Sequence, residues 1–276
     1  MNTIIKTMCS CLMLLLSITT SAQKVSYGNN PEAGHYINVG DAKLYYEVYG
    51  KGEPIVLLHG GVFGYIDEFE NLIPKLADKY QVICIATRGH GKSEIGHSPF
   101  TYKQRAEDAY KVIRSITQDS VTVIGFSDGG FSGLKLAALY PNLVKKLVAM
   151  GVTDRSRAVV ESSFNYSAAG LVRDDPDFLT KRLQLMPDAE RWNECQAKLT
   201  KLYNTDYMST ETFRKIKCPV LIVSGDKDTR NPMEGVMKCA QAIPDHQLSI
   251  IPDAGHTVLN DNFPLVWETV APFLNK

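Results

Sequence analysis

Ser127 stands in a context that favours its use as a nucleophile. The stretch from Val121 to Gly130 reads VTVIGFSDGG, in which an apolar run leads into Gly-x-Ser-x-Gly. Where a strand turns sharply into a helix, the residues beside the serine must be small, because a Cβ there would clash with the neighbouring backbone. Such a turn lifts the hydroxyl above the carboxyl end of the sheet, at the positive end of the next helix. The pattern predicts a nucleophilic serine at a strand-to-helix turn.

A serine hydroxyl is a weak nucleophile alone and needs an oriented general base. Of the six histidines, His256 follows the last apolar run and precedes the last helical pattern. We therefore expect His256 at the same sheet edge as Ser127, as the general base. His59 also follows an apolar run, but the two glycines after it indicate another role. His90, in the sequence RGHG, is expected to stabilise a loop.

The base needs an acid that fixes its orientation. Asp228 lies in the sequence SGDKD, which follows the apolar run Val220–Val223. It is far enough past that run to reach His256, whereas Asp226 is closer to the turn and is expected to cap it. Asp154, after the preceding strand, is the alternative position for the acid. The spacing favours Asp228.

Acyl transfer also needs backbone N–H groups that stabilise an oxyanion. The residue after the nucleophile, Asp128, would donate one of them. The second would come from the loop after the first buried strand, from Gly61 or from Val62. Glycines at positions 60 and 61 allow that backbone to approach a substrate closely. Val62 is therefore also a candidate for substrate contact.

These residues would be positioned by alternating strands and helices. Unbroken apolar runs, typical of strands covered on both faces of a parallel sheet, alternate with amphipathic stretches. A Gly40-Asp41 turn between the first two runs predicts a hairpin, and hence an antiparallel strand at one edge. We predict an α/β fold with a mostly parallel, eight-stranded sheet flanked by helices. The runs are Tyr36–Val39, Leu44–Val48, Ile55–Leu58, Val82–Ala86, Val121–Ile124, Leu147–Met150, Val220–Val223 and Leu248–Ile251.

One segment interrupts the alternation. Between residues 153 and 217 the sequence has helical patterns without a clear strand. Because this is too long for a connecting loop, we predict one domain, residues 23–276, with a core of residues 36–152 and 218–276 and a helical cap of about 153–217. The cap aromatics would line a pocket or pack the cap; they are Phe164, Tyr166, Phe178, Trp192, Tyr203 and Tyr207. The core helices are predicted at Tyr65–Lys79, Tyr102–Thr117, Gly129–Tyr140, Met233–Ile243 and Pro264–Leu274.

The first 22 residues have the layout of a secretory signal peptide. Lys6 precedes an apolar stretch, Met8–Ile18, and small residues ending at Ala22 form a cleavage site. The mature protein would begin near Gln23 and be secreted or periplasmic. The stretch is shorter than the ~18 to 20 residues that span a bilayer, so no stable membrane span is expected after cleavage. A lipoprotein is the less favoured alternative, because both early cysteines lie before or inside the apolar stretch.

Charge and cysteine content exclude other classes. Lys and Arg together number 30, as do Asp and Glu, so the basic surface of a nucleic-acid-binding protein is not expected. Beyond the signal peptide the cysteines show no zinc-ligand spacing with a histidine, so no metal is expected. We expect free thiols at Cys84, Cys195, Cys218 and Cys239.

Together these motifs resemble the α/β-hydrolase family over essentially the whole mature chain. The matching segments are HGG at 59–61, RGHGKS at 88–93, GFSDG at 125–129, GDKD at 225–228 and GH at 255–256. The resemblance implies a helical cap between the sixth and seventh strands, a small-molecule acyl substrate, and no metal or organic cofactor. One position departs from it, because Ala86 stands where many relatives carry Asp. That loop is structural in the family.

The Ser-Asp-Gly-Gly form of the turn is similar to that of the valacyclovir-hydrolase-like branch. This resemblance implies that the Asp128 carboxylate binds the amino group of an aminoacyl ester. The simpler alternative is that Asp128 sits at a helix N-terminus, where a carboxylate is favourable by ~0.3 to 1 kcal/mol.

The sequence predicts a serine hydrolase that cleaves a carboxylic ester or related acyl bond through Ser127, His256, Asp228 and an acyl-enzyme. Lactone hydrolysis and aminoacyl-ester or aminopeptidase activity remain open on the same triad. A non-catalytic ligand-binding protein on the same fold is the alternative of a different class. Dehalogenation and epoxide hydrolysis are disfavoured, because each would need Asp at position 127.

Overall fold

The computed structural model describes residues 25–163, 165–173 and 175–276. The predicted signal peptide, residues 1–22, lies outside them. Eight strands of the described chain form one sheet: β1 (Gly34–Asn38), β2 (Lys43–Tyr49), β3 (Glu53–Leu58), β4 (Tyr80–Ile85), β5 (Val121–Phe126), β6 (Val144–Met150), β7 (Val220–Gly225) and β8 (His246–Ile251).

The strands are ordered β1-β2-β4-β3-β5-β6-β7-β8 across the sheet. β2 pairs antiparallel with β1 and β4, and all later pairs are parallel. Every residue of β5 and β7 is buried, as expected for strands covered on both faces. The sheet confirms the predicted α/β fold with eight mostly parallel strands.

Helices cover both faces of the sheet. Alternate residues of β3 show the two layers, with Val56 and Leu58 in one apolar cluster and Ile55 and Leu57 in the other. The helices are α1 (Ile73–Ala77), α2 (Tyr102–Ile116), α3 (Asp128–Leu139), α4 (Arg157–Ser163), α5 (Ala168–Arg173), α6 (Pro176–Leu183), α7 (Trp192–Thr205), α8 (Thr210–Arg214), α9 (Met233–Ala242), α10 (Val258–Asp261) and α11 (Phe263–Asn275).

One helix prediction is wrong. The segment Tyr65–Lys79 was expected to form a continuous helix, but it forms a 3₁₀ turn at Ile66–Phe69 and then the short α1. Pro74 lies at the start of α1, where its missing N–H is tolerated. Inside a longer helix the same proline would remove a hydrogen bond and clash with the preceding turn.

The segment between β6 and β7 contains helices α4 to α8, which lie over the carboxyl ends of the strands. Its buried side chains join the cluster that packs on α2 and α3; they include Trp192, Cys195, Leu199 and Leu202. Each fully buried large apolar side chain stabilises such packing by roughly 1.5 to 3 kcal/mol. Helical segment and sheet thus share one core.

Two further features concern the described chain as a whole. None of the helices in the described ranges has the length and apolar character needed to cross a bilayer. Cys84, Cys195, Cys218 and Cys239 are buried side chains without a disulfide partner.

Candidate active site

Ser127 lies at the turn between β5 and α3, in a strained backbone conformation. Its φ of 51° and ψ of −114° are rarely adopted by residues other than glycine. A Cβ on Gly129 would lie 1.8 Å from the carbonyl oxygen of Leu58, and one on Gly125 would lie 2.3 Å from that of Gly129. Neighbouring β3 and α3 thus require glycine on both sides of the serine, as the sequence pattern predicts.

The structure brings Ser127, His256 and Asp228 into one hydrogen-bonded chain. His256 Nε2 lies 2.9 Å from Ser127 Oγ, and His256 Nδ1 lies 2.9 Å from Asp228 Oδ2. The His256 side chain is 17% exposed and that of Asp228 only 1%. These distances permit proton transfer from the serine hydroxyl to the imidazole.

Asp228 is held by donors on both carboxylate oxygens. Its Oδ1 accepts the backbone N–H groups of Arg230 at 2.9 Å and Asn231 at 3.0 Å. Its Oδ2 accepts the Asn231 side chain at 3.1 Å as well as His256. Burial would raise the pKa of Asp228, but the hydrogen bonds from His256 and Asn231 outweigh it and lower that pKa. The ionised carboxylate therefore orients the imidazole.

Asn231 is a site residue that the sequence reasoning missed. Its Nδ2 also donates to the Gly151 carbonyl at 2.9 Å, and it lies 3.1 Å from His256 Nδ1. Because Nδ1 must carry a proton to donate to Asp228, this last approach joins two donors and is not a hydrogen bond. Asn231 thus ties the acid to the end of β6. Its position three residues after the acid carries no motif that would have identified it.

Asp154, the alternative acid, and Asp226, the other acid of the Asp228 loop, lie elsewhere. Asp154 Oδ1 accepts the Ser156 backbone N–H at 2.8 Å, and its Oδ2 accepts the Ser156 hydroxyl at 3.1 Å. This local turn keeps Asp154 apart from His256. The Asp226 side chain is exposed, and its backbone N–H donates to Ile251. Neither contacts the imidazole through a hydrogen bond.

The predicted oxyanion donors face the same space as the serine. Asp128 is the first residue of α3, so its N–H has no intrahelical acceptor. The N–H groups of Gly61 and Val62 donate to no residue that the structure describes. Val62 has a φ of 56°, and the loop before it is fixed by a 2.7 Å bond from Gly60 N–H to Glu68 Oε2. The loop thus presents unused donors beside Ser127.

Two buried histidines lie beneath this loop and stay neutral. His59 Nε2 accepts the Thr87 N–H at 3.0 Å, while its Nδ1 lies 2.6 Å from the Gly60 carbonyl. Burial lowers the pKa of His59 to about 3 and also lowers the pKa of His90. His90 contacts the Thr87 hydroxyl at 3.2 Å. Neither histidine has a bond to Ser127.

The Asp128 side chain is part of a buried ion pair. Its Oδ2 lies 3.1 Å from Arg105 Nη2 and accepts the Tyr203 hydroxyl at 3.0 Å. Its Oδ1 is buried and accepts no hydrogen bond from the described residues. Burial raises the pKa of Asp128, although Arg105 and Tyr203 act in the opposite direction. The carboxylate predicted to meet a substrate amine is therefore already matched by an internal cation.

The ion pair explains why position 61 is glycine. A Cβ there would lie 1.9 Å from the Tyr203 hydroxyl and 2.5 Å from Asp128 Oδ2. Arg105 comes from α2 and Tyr203 from α7, so core and cap meet at this carboxylate. Arg105 sits in an ordinary helical pattern, which gave no signal of its role.

A pocket opens at the serine between the core and the cap. It holds about 530 Å³ of empty space, part of it open to solvent. Both core and cap elements supply its walls. The lining residues are Gly61, Val62, Phe63, Tyr102, Ser127, Asp128, Phe131, Arg155, Tyr166, Leu171, Tyr203, Arg230, Asn231 and His256.

Comparison with known proteins agrees with this architecture. Residues 53–179 match the family described as alpha/beta hydrolase fold. The 2-hydroxy-6-oxo-6-(2'-aminophenyl)hexa-2,4-dienoic acid hydrolase of Metapseudomonas resinovorans is 29% identical over 80% of this chain and 83% of its own. Serine hydrolase BPHL of Homo sapiens is 24% identical over 80% of this chain and 79% of its own.

Solved structures show the same fold. A serine hydrolase involved in carbazole degradation (CarC enzyme) superposes with a TM-score of 0.73 at 25% identity, covering 88% of this chain and 98% of that one. E-2-(acetamidomethylene)succinate hydrolase superposes with a TM-score of 0.72 at 22% identity, over 88% and 99% of the two chains. The chain has the α/β-hydrolase fold. With hydrolases as its relatives over four fifths of its length, it belongs to the hydrolase class.

Proposed function

We propose that the protein is a serine hydrolase that cleaves a carboxylic ester or related acyl bond through an acyl-enzyme. The observation that carries this proposal is the chain of two 2.9 Å contacts from Ser127 through His256 to Asp228. It stands at a strained turn that opens into the pocket. An activated nucleophile, an oriented base and nearby N–H donors are what acyl transfer requires.

In the first half of the reaction, His256 Nε2 accepts the hydroxyl proton while Ser127 Oγ attacks the substrate carbonyl carbon. The negative charge that develops on the carbonyl oxygen is stabilised by the N–H of Asp128 and by that of Gly61 or Val62. The imidazolium, held by Asp228, then protonates the leaving alcohol. The alcohol departs and the acyl group remains on Ser127.

In the second half, a water molecule takes the place of the alcohol. His256 removes its proton as the water oxygen attacks the acyl carbonyl, and the same N–H donors stabilise the second oxyanion. Collapse of this intermediate breaks the bond to Ser127 Oγ, which recovers its proton from the imidazolium. The products are the alcohol and the carboxylic acid, and no step needs a metal or organic cofactor.

The aminoacyl-ester alternative has less support. It requires the Asp128 carboxylate to bind a substrate amine, yet Arg105 and Tyr203 already occupy Oδ2. Oδ1 is buried. An ammonium would have to compete with a buried guanidinium for one carboxylate charge. We therefore place acyl compounds without an amino group first.

Replacement of the nucleophile tests the proposal. We expect Ser127→Ala to lose labelling by a fluorophosphonate probe and to reduce kcat for a methyl ester by at least about 10³-fold. Ser132→Ala is the matched control, because Ser132 is buried in the same helix and its hydroxyl donates to the Asp128 carbonyl. The control should keep labelling. Labelling of Ser127→Ala would show that Ser127 is not the nucleophile. An unlabelled wild-type protein without turnover would favour the binding-protein alternative.

A further inference from the structure

The wall of the pocket contains one carboxylate, that of Asp128, and two guanidinium groups, those of Arg155 and Arg230. The Asp128 charge is matched by Arg105 behind it at 3.1 Å. Asp228, the other carboxylate near the serine, is hydrogen-bonded to the imidazole at 2.9 Å. The two arginines of the wall differ in their surroundings and in their exposure to solvent.

Of these two arginines, Arg155 is buried and contacts backbone carbonyls and aromatic rings of the protein. Its Nη2 donates to the backbone carbonyls of Tyr203 at 2.9 Å and Asp206 at 2.6 Å. Its guanidinium also lies over the rings of Tyr102 and Phe131, 5.0 and 5.1 Å from their centroids. Arg155 is 2% exposed, so it holds the cap on the core and adds a fixed positive charge.

Arg230 differs in having an exposed side chain with no role in the fold. Its guanidinium has no hydrogen-bond or ion-pair partner within the ranges that the structure describes. Its backbone is fixed, because its N–H donates to Asp228 Oδ1 at 2.9 Å. The side chain therefore starts from a defined point two residues after the acid of the proposed triad.

Arg230 also stands where two cavities meet. It lines the pocket of the serine together with Tyr166, and both residues line a second cavity between the cap and α9. The other charged groups in the wall of that cavity have partners of their own. Glu234 and Lys238 pair with each other at 2.8 Å, and the Asp154 carboxylate accepts two hydrogen bonds within its own turn. A substrate bound at Ser127 that extends toward the second cavity would pass the Arg230 guanidinium.

We propose that Arg230 is a specificity-determining residue that binds a carboxylate of the substrate. The inference rests on the proposed function and narrows it: the substrate class is an acyl ester that carries a carboxylate on the side of the scissile bond facing the second cavity. A guanidinium presents a planar pair of N–H donors that fits a carboxylate in bidentate geometry. Asp128 offers no comparable site for an amine, because Arg105 already compensates the charge of its carboxylate.

Three methyl esters of matched length test this proposal: monomethyl glutarate, methyl valerate and methyl 4-aminobutyrate. Their hydrolysis is measured by titrating the released proton at constant pH. We expect the wild-type protein to have its highest kcat/KM for the glutarate ester. Arg230→Gln should lower that value about 10-fold, as expected for a charge-assisted pair near the surface. The valerate value should change by less than about 2-fold, and Arg230→Lys should restore part of the preference.

Arg214→Gln is the matched control, since Arg214 is an exposed arginine on α8 that pairs with Glu211. It should leave all three values unchanged. An equal loss on all three esters in Arg230→Gln would show that Arg230 acts through the Asp228 loop. That result, or a wild-type protein without a preference for the glutarate ester, would overturn the inference while leaving the proposed serine hydrolase in place.

A second measurement does not depend on turnover. Free glutarate should slow fluorophosphonate labelling of the wild-type protein, whereas valeramide at the same concentration should not, and Arg230→Gln should abolish the difference. Equal protection by both compounds contradicts carboxylate binding by Arg230. Absence of labelling itself would instead contradict the proposed nucleophile, so the two failures are distinguishable.

Discussion

Two buried aspartates lie near the serine, Asp128 next to it in the chain and Asp228 behind His256, and their surroundings differ. Asp228 is 1% exposed and lies 2.9 Å from the imidazole of His256. Asp128 is 2% exposed and lies 3.1 Å from the guanidinium of Arg105. Each carboxylate thus lies against one nitrogen-containing side chain: Asp228 is hydrogen-bonded to an imidazole, and Asp128 forms an ion pair with a guanidinium. The two side chains differ in one property, which is whether they can lose a proton near neutral pH.

This difference assigns a role in the proposed reaction to Asp228 and a structural role to Asp128. In the proposed mechanism the imidazole accepts a proton from Ser127 and returns it, so the carboxylate that orients the imidazole would take part in each proton transfer. A guanidinium stays charged, so the pair of Asp128 and Arg105 stores no reversible proton. The donors around the two acids agree with this division, because both oxygens of Asp228 are hydrogen-bonded, whereas Asp128 Oδ1 has no partner among the described residues. The two aspartates near Ser127 therefore have different roles: Asp228 would orient the imidazole in the proposed reaction, and Asp128 pairs with a buried guanidinium.

The largest effect is expected at the Asp228 side. Asp228→Asn keeps the shape but presents an amide to His256, which favours the wrong tautomer of the imidazole. We expect kcat for ester hydrolysis to fall by about 10³- to 10⁴-fold, with a modest change in stability. Steady-state kinetics and urea unfolding measure the two quantities. Asp226→Asn, an exposed neighbour in the same loop, is the control and should retain full activity.

The next effect concerns stability and should come from the Asp128 side. Asp128→Asn leaves the Arg105 guanidinium buried without its counter-charge, which lowers the free energy of unfolding. The loss should be smaller than the about 3 to 5 kcal/mol of a broken buried pair, because the same change removes a carboxylate whose burial is unfavourable. Because the Asp128 backbone N–H is unchanged, we expect kcat to fall by less than about 10-fold. A variant that kept its stability but lost kcat as strongly as Asp228→Asn would remove the distinction between the two acids.

A double variant sharpens this test. Arg105→Met should be destabilising by itself, since it leaves the Asp128 carboxylate buried and unpaired. Combined with Asp128→Asn it removes both charges, and the new side-chain amide at position 128 can still accept the Tyr203 hydroxyl. We expect most of the lost free energy of unfolding to return in the pair. Strictly additive losses in a double-mutant cycle would show that Arg105 and Asp128 do not interact.

The same contrast shows how far the sequence could lead. The apolar runs and the helical patterns between them predicted the fold. Ser127, Asp228 and His256 each follow one of these runs, and parallel strands end at one edge of a sheet, so the sequence also predicted that the three residues lie close together. Arg105 and Asn231 were not predicted. Their contacts depend on the orientation of α2 and of the loop after β7 relative to the sheet, and no local sequence pattern predicts that orientation. From the sequence, Asp128 was a candidate amine site by resemblance, beside the simpler alternative of a carboxylate at a helix N-terminus. Its contacts with Arg105 and Tyr203 follow from the packing of α2 and α7.

The smallest effect, and the one specific to protonation, lies in the pH dependence of stability. The pKa of Asp228 is lowered from the usual value of 3.8, so its stabilising contribution is present above that pH and is lost as the pH falls through the folded-state pKa. The pKa of Asp128 is raised, chiefly by burial. Its contribution is fully present below pH 3.8 and is lost as the pH rises through its folded-state pKa.

The two variants should therefore change the pH profile in opposite senses. We expect the free energy of unfolding of wild type minus that of Asp228→Asn to increase with pH below about pH 4. The corresponding difference for Asp128→Asn should decrease with pH above about pH 4. The attraction of Arg105 is already part of the balance that sets the pKa of Asp128, so it adds no separate contribution to this slope. Urea unfolding at several pH values below and above about pH 4 measures how both differences in the free energy of unfolding vary with pH. Slopes of the same sign would show that the pKa values of the two carboxyl groups are shifted in the same direction.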